Sequence, residues 1–347
     1  MDNVHYIVRR ILLMVPTFLG ITVACFVLCQ FVPGGPVEQM MLRMRGMQAG
    51  GGEVGAGGSA AAISEKQREE LIRHFGFDRP VMVRYWNWLV HDGMGMKQDS
   101  YKYSNKKVYQ LIRERLPVSM VFWFAGVILS YLVCIPLGIA KALRHEKVFD
   151  FASSMVVFIG YAIPPFAFGM VLKLLFCGMN EQFLDIFPLS GFHSENFDTL
   201  SFSGKVADIS MHMFLPTLCY VIGGFAVTTL LMKNSLLEQI NQDYVRTVLA
   251  KGCSLRRAVW GHAVRNALIP IVTGMGEIIP LMLTGSILIE RVFEIPGMGM
   301  LSYDAILTRD YPVFMGLLAL TSVLTLIGRI ISDVMYMIVD PRISMDS

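Results

Sequence analysis

Six long apolar runs constrain this chain more than any other feature of its sequence. A helix that crosses the hydrocarbon core of a bilayer needs about 20 mostly apolar residues. Such runs fall at about Ile11–Val32, Pro117–Ala140, Phe151–Phe176, Met213–Met232, Ala267–Ile289 and Val313–Ile338. Irregular backbone exposed to hydrocarbon would leave its peptide groups unpaired. The runs therefore predict an all-α integral membrane protein with about six transmembrane helices. Composition agrees: charged residues make up 16% of the chain, against about 25% in soluble proteins. Gly and Pro inside several runs, such as Pro136 and Pro164-Pro165, are tolerated in membrane helices. The first run also admits a signal-peptide reading. It is longer than a typical signal core and ends at Pro33-Gly34-Gly35-Pro36 without an A-x-A-like site, which favours a retained span.

Six spans put both termini on one side of the membrane, and basic residues in the short connections decide which side. With the N-terminus inside, the inner segments hold twelve basic residues: Arg9, Arg10, Lys141, Arg144, Lys147, Lys233, Arg246, Lys251, Arg256, Arg257, Arg265 and Arg342. The short outer segments hold three, Lys205, Arg291 and Arg309. The pattern predicts an N-in, C-in topology. It divides the chain into an N-terminal segment and first helix (1–32), an extracytoplasmic excursion (33–116) and a core membrane domain (117–347).

The excursion is too polar to span and too long for a simple connection. Residues 46–64 are rich in Gly and Ala and have little to bury, so a flexible stretch is expected. Ser64 with Gln67 forms a capping box, Leu71, Ile72 and Phe75 give a partial apolar face, and Gly76 stops the helix. A second amphipathic stretch, Val108–Leu116, runs into the second span. Two readings stand for these helices: packing on the membrane or the spans, or a docking platform for an external partner.

Between the fourth and fifth spans lies a 34-residue segment, Lys233–Asn266, on the positive side. Connections between helices are commonly about 2–8 residues. Leu236, Leu237, Ile240, Tyr244, Val248 and Leu249 recur at helical spacing. Gly252 then sits where a helix C-terminal glycine belongs, and Ser254 can cap a new helix with Leu255, Val259, Ala263 and Leu268 as its apolar members. The pattern predicts a helix–turn–helix projecting from the membrane. It is either a solvated elbow or a knob that inserts into a partner.

Ionisable residues within or beside the spans are Lys173, Glu277, Glu290, Arg329 and Asp333. Intramembrane charge suggests function by default, although several of these can snorkel to an interface. Arg329 and Asp333 are four apart and can pair with each other. Glu277 lies deepest in its span and is a candidate pathway-lining group, the alternative being packing against a partner subunit. The sequence has no GxxxxGK[ST] phosphate loop, no GxSxG elbow and no HExxH pair. The six cysteines form no CxxC pair, which argues against a zinc site. The net charge of +3 gives no basis for nucleic-acid binding.

The loop residues Tyr244-Val245-Arg246-Thr247, Ala250-Lys251-Gly252, His262-Ala263 and Arg265-Asn266-Ala267-Leu268-Ile269-Pro270 resemble the EAA loop of dipeptide/oligopeptide ABC permeases. Other segments follow the same family in order. They are Ile7-Val8-Arg9-Arg10, Phe31-Val32-Pro33-Gly34-Gly35-Pro36, Phe75-Gly76-Phe77-Asp78-Arg79-Pro80, Glu290-Arg291-Val292-Phe293, Pro296-Gly297-Met298-Gly299, Arg309-Asp310-Tyr311-Pro312 and Asp340-Pro341-Arg342-Ile343. The Gly-rich insertion, Gly160-Tyr161-Ala162-Ile163-Pro164 and Ile222-Gly223-Gly224-Phe225 look most like the Yej-type branch. The general loop pattern begins with Glu. Here Arg246 stands in its place, as in the peptide branch, and Val248 replaces the next small residue.

The resemblance implies a type I ABC importer permease fold in a bacterial inner membrane and a peptide cargo. It implies a second homologous permease subunit, one or two cytoplasmic ATPase subunits that bind ATP and Mg, a periplasmic peptide-binding protein, and no cofactor or catalysis in this chain. It makes Tyr244, Arg246, Thr247, Ala250, Lys251, Gly252, His262, Arg265 and Asn266 the ATPase-coupling residues. The competing reading is an ion-coupled secondary transporter. That class shows inverted repeats and midplane ionisable sites, and neither is clear here.

Overall fold

The computed structural model describes residues 2–31, 78–103, 105–178, 184–274 and 286–339. Among them the secondary structure is helical, apart from two isolated bridges, Asp99 with Lys107 and Cys177 with Asp185. In chain order the helices are α1 (Asp2–Phe31), α2 (Val81–Trp86), α3 (Val108–Leu143), α4 (Val148–Ala162), α5 (Pro165–Phe176) and α6 (Phe202–Ile240). There follow α7 (Asp243–Ala250), α8 (Leu255–Ala258), α9 (Val264–Ala267), α10 (Ile269–Thr273), α11 (Ile287–Phe293), α12 (Met298–Leu307) and α13 (Tyr311–Val339).

Stretches of α1, α3, α6 and α13 are long and apolar enough to cross a membrane. The expected third span is present as two helices, α4 and α5, bent by 93°. The cause is local. Pro164 cannot donate a backbone hydrogen bond, and Ile163 before it is extended, with φ −87 and ψ 121. Of the expected fifth span, α10 and α11 hold the two ends. Its middle, including Glu277, lies outside the described residues, as do the Gly-rich stretch, the Ser64 capping box and the rest of 32–77. The amphipathic stretch before the second span is continuous with it as α3.

Contacts divide the chain into two compact units. The larger comprises 1–11, 115–300 and 324–347. Within it α3 and α6 approach closely at Gly138, where an added Cβ would stand 2.6 Å from the Met232 Cβ and 2.8 Å from the Thr229 carbonyl. One core of this unit joins Ile139, Met232, Leu236, Val245, Val259 and Val264. Another joins Phe122, Leu172, Met213, Cys219, Ile289 and Phe293. Outward from these cores α4 exposes Val148, Phe151, Val156 and Ile159. Apolar surface of this extent suits lipid or a protein neighbour and not water.

Three of the intramembrane charges in this unit, Lys173, Glu290 and Asp333, have specific partners. Lys173 donates to the Val292 carbonyl at 2.8 Å, near the end of α11. Glu290 is buried and accepts from the Met300 N–H at 2.7 Å in the first turn of α12. Asp333 pairs with Arg10 instead of with Arg329, which corrects the local pairing expected from their spacing. Arg10 lies far off in sequence and reaches Asp333 only through the fold.

The second unit comprises 12–114 and 301–323. Its core packs Phe26 and Trp88 with Met315 and Ala319. Tyr85 and the α1 residue Thr22 share a hydroxyl hydrogen bond of 2.9 Å. Asp310 precedes α13 and is almost fully buried. Its carboxylate accepts from the Tyr101 and Lys102 backbone N–H groups at 3.1 Å each, and from the Ser100 hydroxyl. The adjacent Tyr101 phenol is pushed above its ordinary value by burial, and the Asp310 carboxylate adds to the effect. The Arg309-Asp310-Tyr311-Pro312 motif thus fastens the 100–102 strap to the start of a membrane helix.

Replacing Asp310 with Ala removes an acceptor from four donors, the Ser100 hydroxyl and the Tyr101, Lys102 and Val313 N–H groups. The expected cost is about 1–3 kcal/mol for the desolvated groups. In detergent, Asp310→Ala is expected to lower the melting temperature and to speed proteolysis between 92 and 107. Unchanged proteolysis there would refute the strap.

Candidate functional site

The loop between α6 and α10 begins later than the charge pattern predicts. α6 continues seven residues past Lys233 to Ile240 before the chain breaks at Asn241-Gln242. The single helix expected from Leu236 to Leu249 is therefore two, α6 and α7. Gln242, extended at φ −73 and ψ 151, separates them.

After α7 the chain turns where the sequence indicates. Gly252 has φ +83, and its N–H bonds the Leu249 carbonyl at 2.9 Å. A Cβ built there meets nothing within 4 Å. Glycine is favoured by the backbone angle and not by lack of space. Ser254 then caps α8, its hydroxyl accepting from the Arg257 N–H at 3.4 Å. A π-helical turn, Val259–Ala263, joins α8 to α9. Such a turn slips the register by one residue. Here it keeps Ala258, Val259, Ala263, Val264 and Ala267 all buried.

The loop does not stand free as a bare knob. Its inward face, Val245, Ala258, Val259, Ala263 and Ala267, packs on Ile139 and Ala142 of α3 and on Met232 and Leu236 of α6. Ser235 of α6 donates to the Ala267 carbonyl at 2.9 Å, which ties the far end of the loop to the root of its near end. The Tyr244 hydroxyl donates to the Gln239 side chain at 2.9 Å across the break.

Of the candidate residues, Arg246, Thr247, Ala250, Lys251, Gly252, His262 and Arg265 are exposed, whereas Tyr244 and Asn266 are half-buried. The structure brings the exposed group onto one continuous loop and separates it from its apolar underside. Arg246 has a neighbour in Asp243 at 3.4 Å, but both side chains are well solvated, so the pair contributes little. Pattern reading missed Trp260, and it placed Leu255 on the apolar face with Val259 and Ala263; both are instead exposed, 54% and 56%, among Arg256, Arg257 and His262. Helical spacing could not place either residue, because the π turn at 259–263 shifts the register between them and the buried Ala263, Val264 and Ala267.

A rigid, basic surface carrying an exposed Trp and Leu is suited to seating in a groove of another protein. Among the described residues no group of three or more His, Cys, Asp or Glu side chains is arranged to hold a metal.

The profile of the family described as "Binding-protein-dependent transport system inner membrane component" matches residues 134–345. The chain is 39% identical to the peptidoglycan transport system permease protein YejB of Agrobacterium fabrum, over 98% of both chains. It is 38% identical to the inner membrane ABC transporter permease protein YejB of Escherichia coli O157:H7, over 98% of this chain and 99% of that one. It is 34% identical to the oligopeptide transport system permease protein AppB of Bacillus subtilis, over 97% and 98%. The Yej-type resemblance read from short motifs thus extends along the whole length.

The turn at Gly252 gives a direct test. A β-branched residue held at positive φ costs roughly 1–2 kcal/mol or more, whereas Asn tolerates that region. Gly252→Val is expected to raise amide hydrogen exchange across 243–257, with Gly252→Asn close to wild type. Equal exchange in the two variants would refute the assignment.

Proposed function

This chain belongs to the family of inner membrane components of binding-protein-dependent transport systems, and from that premise we propose that it is the permease subunit of an ATP-driven peptide importer. It is a multi-pass protein of the bacterial inner membrane. With a second, similar permease it lines the path, and an extracytoplasmic binding protein delivers the peptide. Separate ATPase subunits bind ATP and Mg and hydrolyse the nucleotide. This chain performs no chemistry of its own. Its termini and the 243–267 loop face the cytoplasm, in keeping with the twelve-to-three distribution of basic residues.

The observation that carries the reading is the exposed face of the loop. Arg246, Lys251, Leu255, Arg257 and Trp260 are all exposed, on the two sides of the Gly252 turn. An apolar anchor with a charged rim is the arrangement that protein grooves recognise. Packing of the inward face on α3 and α6 makes the loop stiff enough to pass a push into the membrane domain.

Purification in detergent of the chain expressed with its neighbouring subunits is expected to recover an ATPase. Reconstituted vesicles are expected to take up a labelled oligopeptide only with ATP and the binding protein. Trp260→Ala and Gly252→Val are expected to cut uptake at least tenfold, as loss of an interface anchor costing more than about 1.4 kcal/mol would. Uptake that survives removal of the ATPase and collapses with the proton gradient would establish the ion-coupled alternative instead.

A further inference from the structure

One buried charge cluster is not used by the loop itself. It lies where the ends of α3, α4 and α6 meet. Lys141, in the last turn of α3, is completely buried. Its ammonium donates to the Asp150 carbonyl at 3.0 Å, the Ser153 hydroxyl at 2.9 Å and the Ser154 hydroxyl at 2.7 Å. Those three bonds use every donor that an ammonium has. It also faces the Asp150 carboxylate, 3.2 Å from Oδ1.

Asp150 lies in the first turn of α4 and is 6% exposed. A helix N-terminus favours its negative charge. Its Oδ2 accepts from Lys233 Nζ at 2.7 Å and from the Glu146 N–H at 3.3 Å, with His145 Nδ1 at 3.4 Å. Two lysines from two different helices thus share one carboxylate.

The two lysines differ in how firmly they are held. Lys141 is anchored by the first two turns of α4 through backbone and hydroxyl groups as well as charge. Lys233 reaches Asp150 by a single hydrogen bond from the side of α6. Seven residues of helix, about 10 Å at 1.5 Å per residue, separate Lys233 from the break before α7. Ser235, two residues on, holds the other end of the loop at Ala267. Both arms of the loop therefore root at the turn of α6 that carries Lys233. The other side of the ion pair is α4, the first half of the bent pair α4–α5.

Stability alone is a poor reason for such a cluster, since apolar residues of similar volume often pack as well as a buried ion pair. A directional bond between two helices does something apolar contact does not: it fixes their register.

We propose that Asp150 is a positioning residue, clasped to the root of the 243–267 loop by Lys233 and to α3 by Lys141, through which displacement of the loop moves the bent pair α4–α5. This rests on the coupling role of the loop proposed above. The clasp sets how much transport follows from each ATP hydrolysed.

The test uses the complete reconstituted transporter and reads two rates, ATP hydrolysis stimulated by the binding protein and uptake of a labelled oligopeptide. Lys233→Met removes the clasp while Lys141 still neutralises Asp150. The variant is expected to assemble with the ATPase and melt as wild type does. Its uptake per ATP is expected to fall roughly fivefold or more, the span of ordinary coupling energies. Lys233→Arg, which restores a charged donor, is expected to return the ratio to within about twofold of wild type, a residual well inside that span. If Lys233→Met does not accumulate, Lys233→Gln, a neutral donor, is read in the same assay. An unchanged ratio overturns the proposal. So does a proportional loss of both rates with a lower melting temperature, because that is what a purely structural role produces. Failure of the underlying reading is separable: the wild-type chain would then hold no ATPase, and Gly252→Val would leave uptake intact.

Discussion

Hydrocarbon offers a peptide group nothing to hydrogen-bond. Every break in a membrane helix must therefore be closed by the protein itself. The described residues show how this chain closes its breaks. Lys173 caps the end of α11, and Glu290 caps the start of α12. Ser119 accepts from the Met298 N–H at 2.7 Å in the same region. Asp310 supplies the acceptors before α13. At Ile163-Pro164 the proline ring removes the donor and turns the helix by 93°. Side chains that look expensive in a membrane stand where the backbone would otherwise be unpaired.

Three of the ionisable residues in or beside the spans, Lys173, Glu290 and Asp333, find partners in the fold. Each is a functional candidate while it is only a letter inside an apolar run. Lys173 and Glu290 become helix caps, and Asp333 becomes half of an ion pair with Arg10. The charge that joins three helices is Asp150, which no spacing rule singles out. Its neighbours in sequence, Glu146 and Lys147, look no different in kind.

The loop shows where local pattern succeeds and where it stops. Gly252 and Ser254 act through their own backbone angles and a hydroxyl three residues away, so a linear reading finds them. The break at Asn241-Gln242 escaped it, because Ile240 and Tyr244 keep helical spacing across an interruption of two residues. The π turn escaped for a similar reason, since a register slip of one residue is invisible until both flanks are seen packed. Which apolar residues face inward depends on α3, more than a hundred residues upstream.

By itself the sequence determined that the chain lives in a membrane, where most of its spans run, where the loop turns, and the family whose motifs it carries in order. Those properties rest on hydropathy over about 20 residues and on capping within one turn, both local quantities. The tertiary structure decided the rest: the bend between α4 and α5, the division of the loop into an outward basic face and an inward apolar one, and the partners of Lys173, Glu290, Asp310, Asp333 and Asp150. An ion pair falls off over a few ångströms of space and takes no account of distance along the chain. Arg10 with Asp333, and Lys233 with Asp150, exist only once the helices are laid side by side.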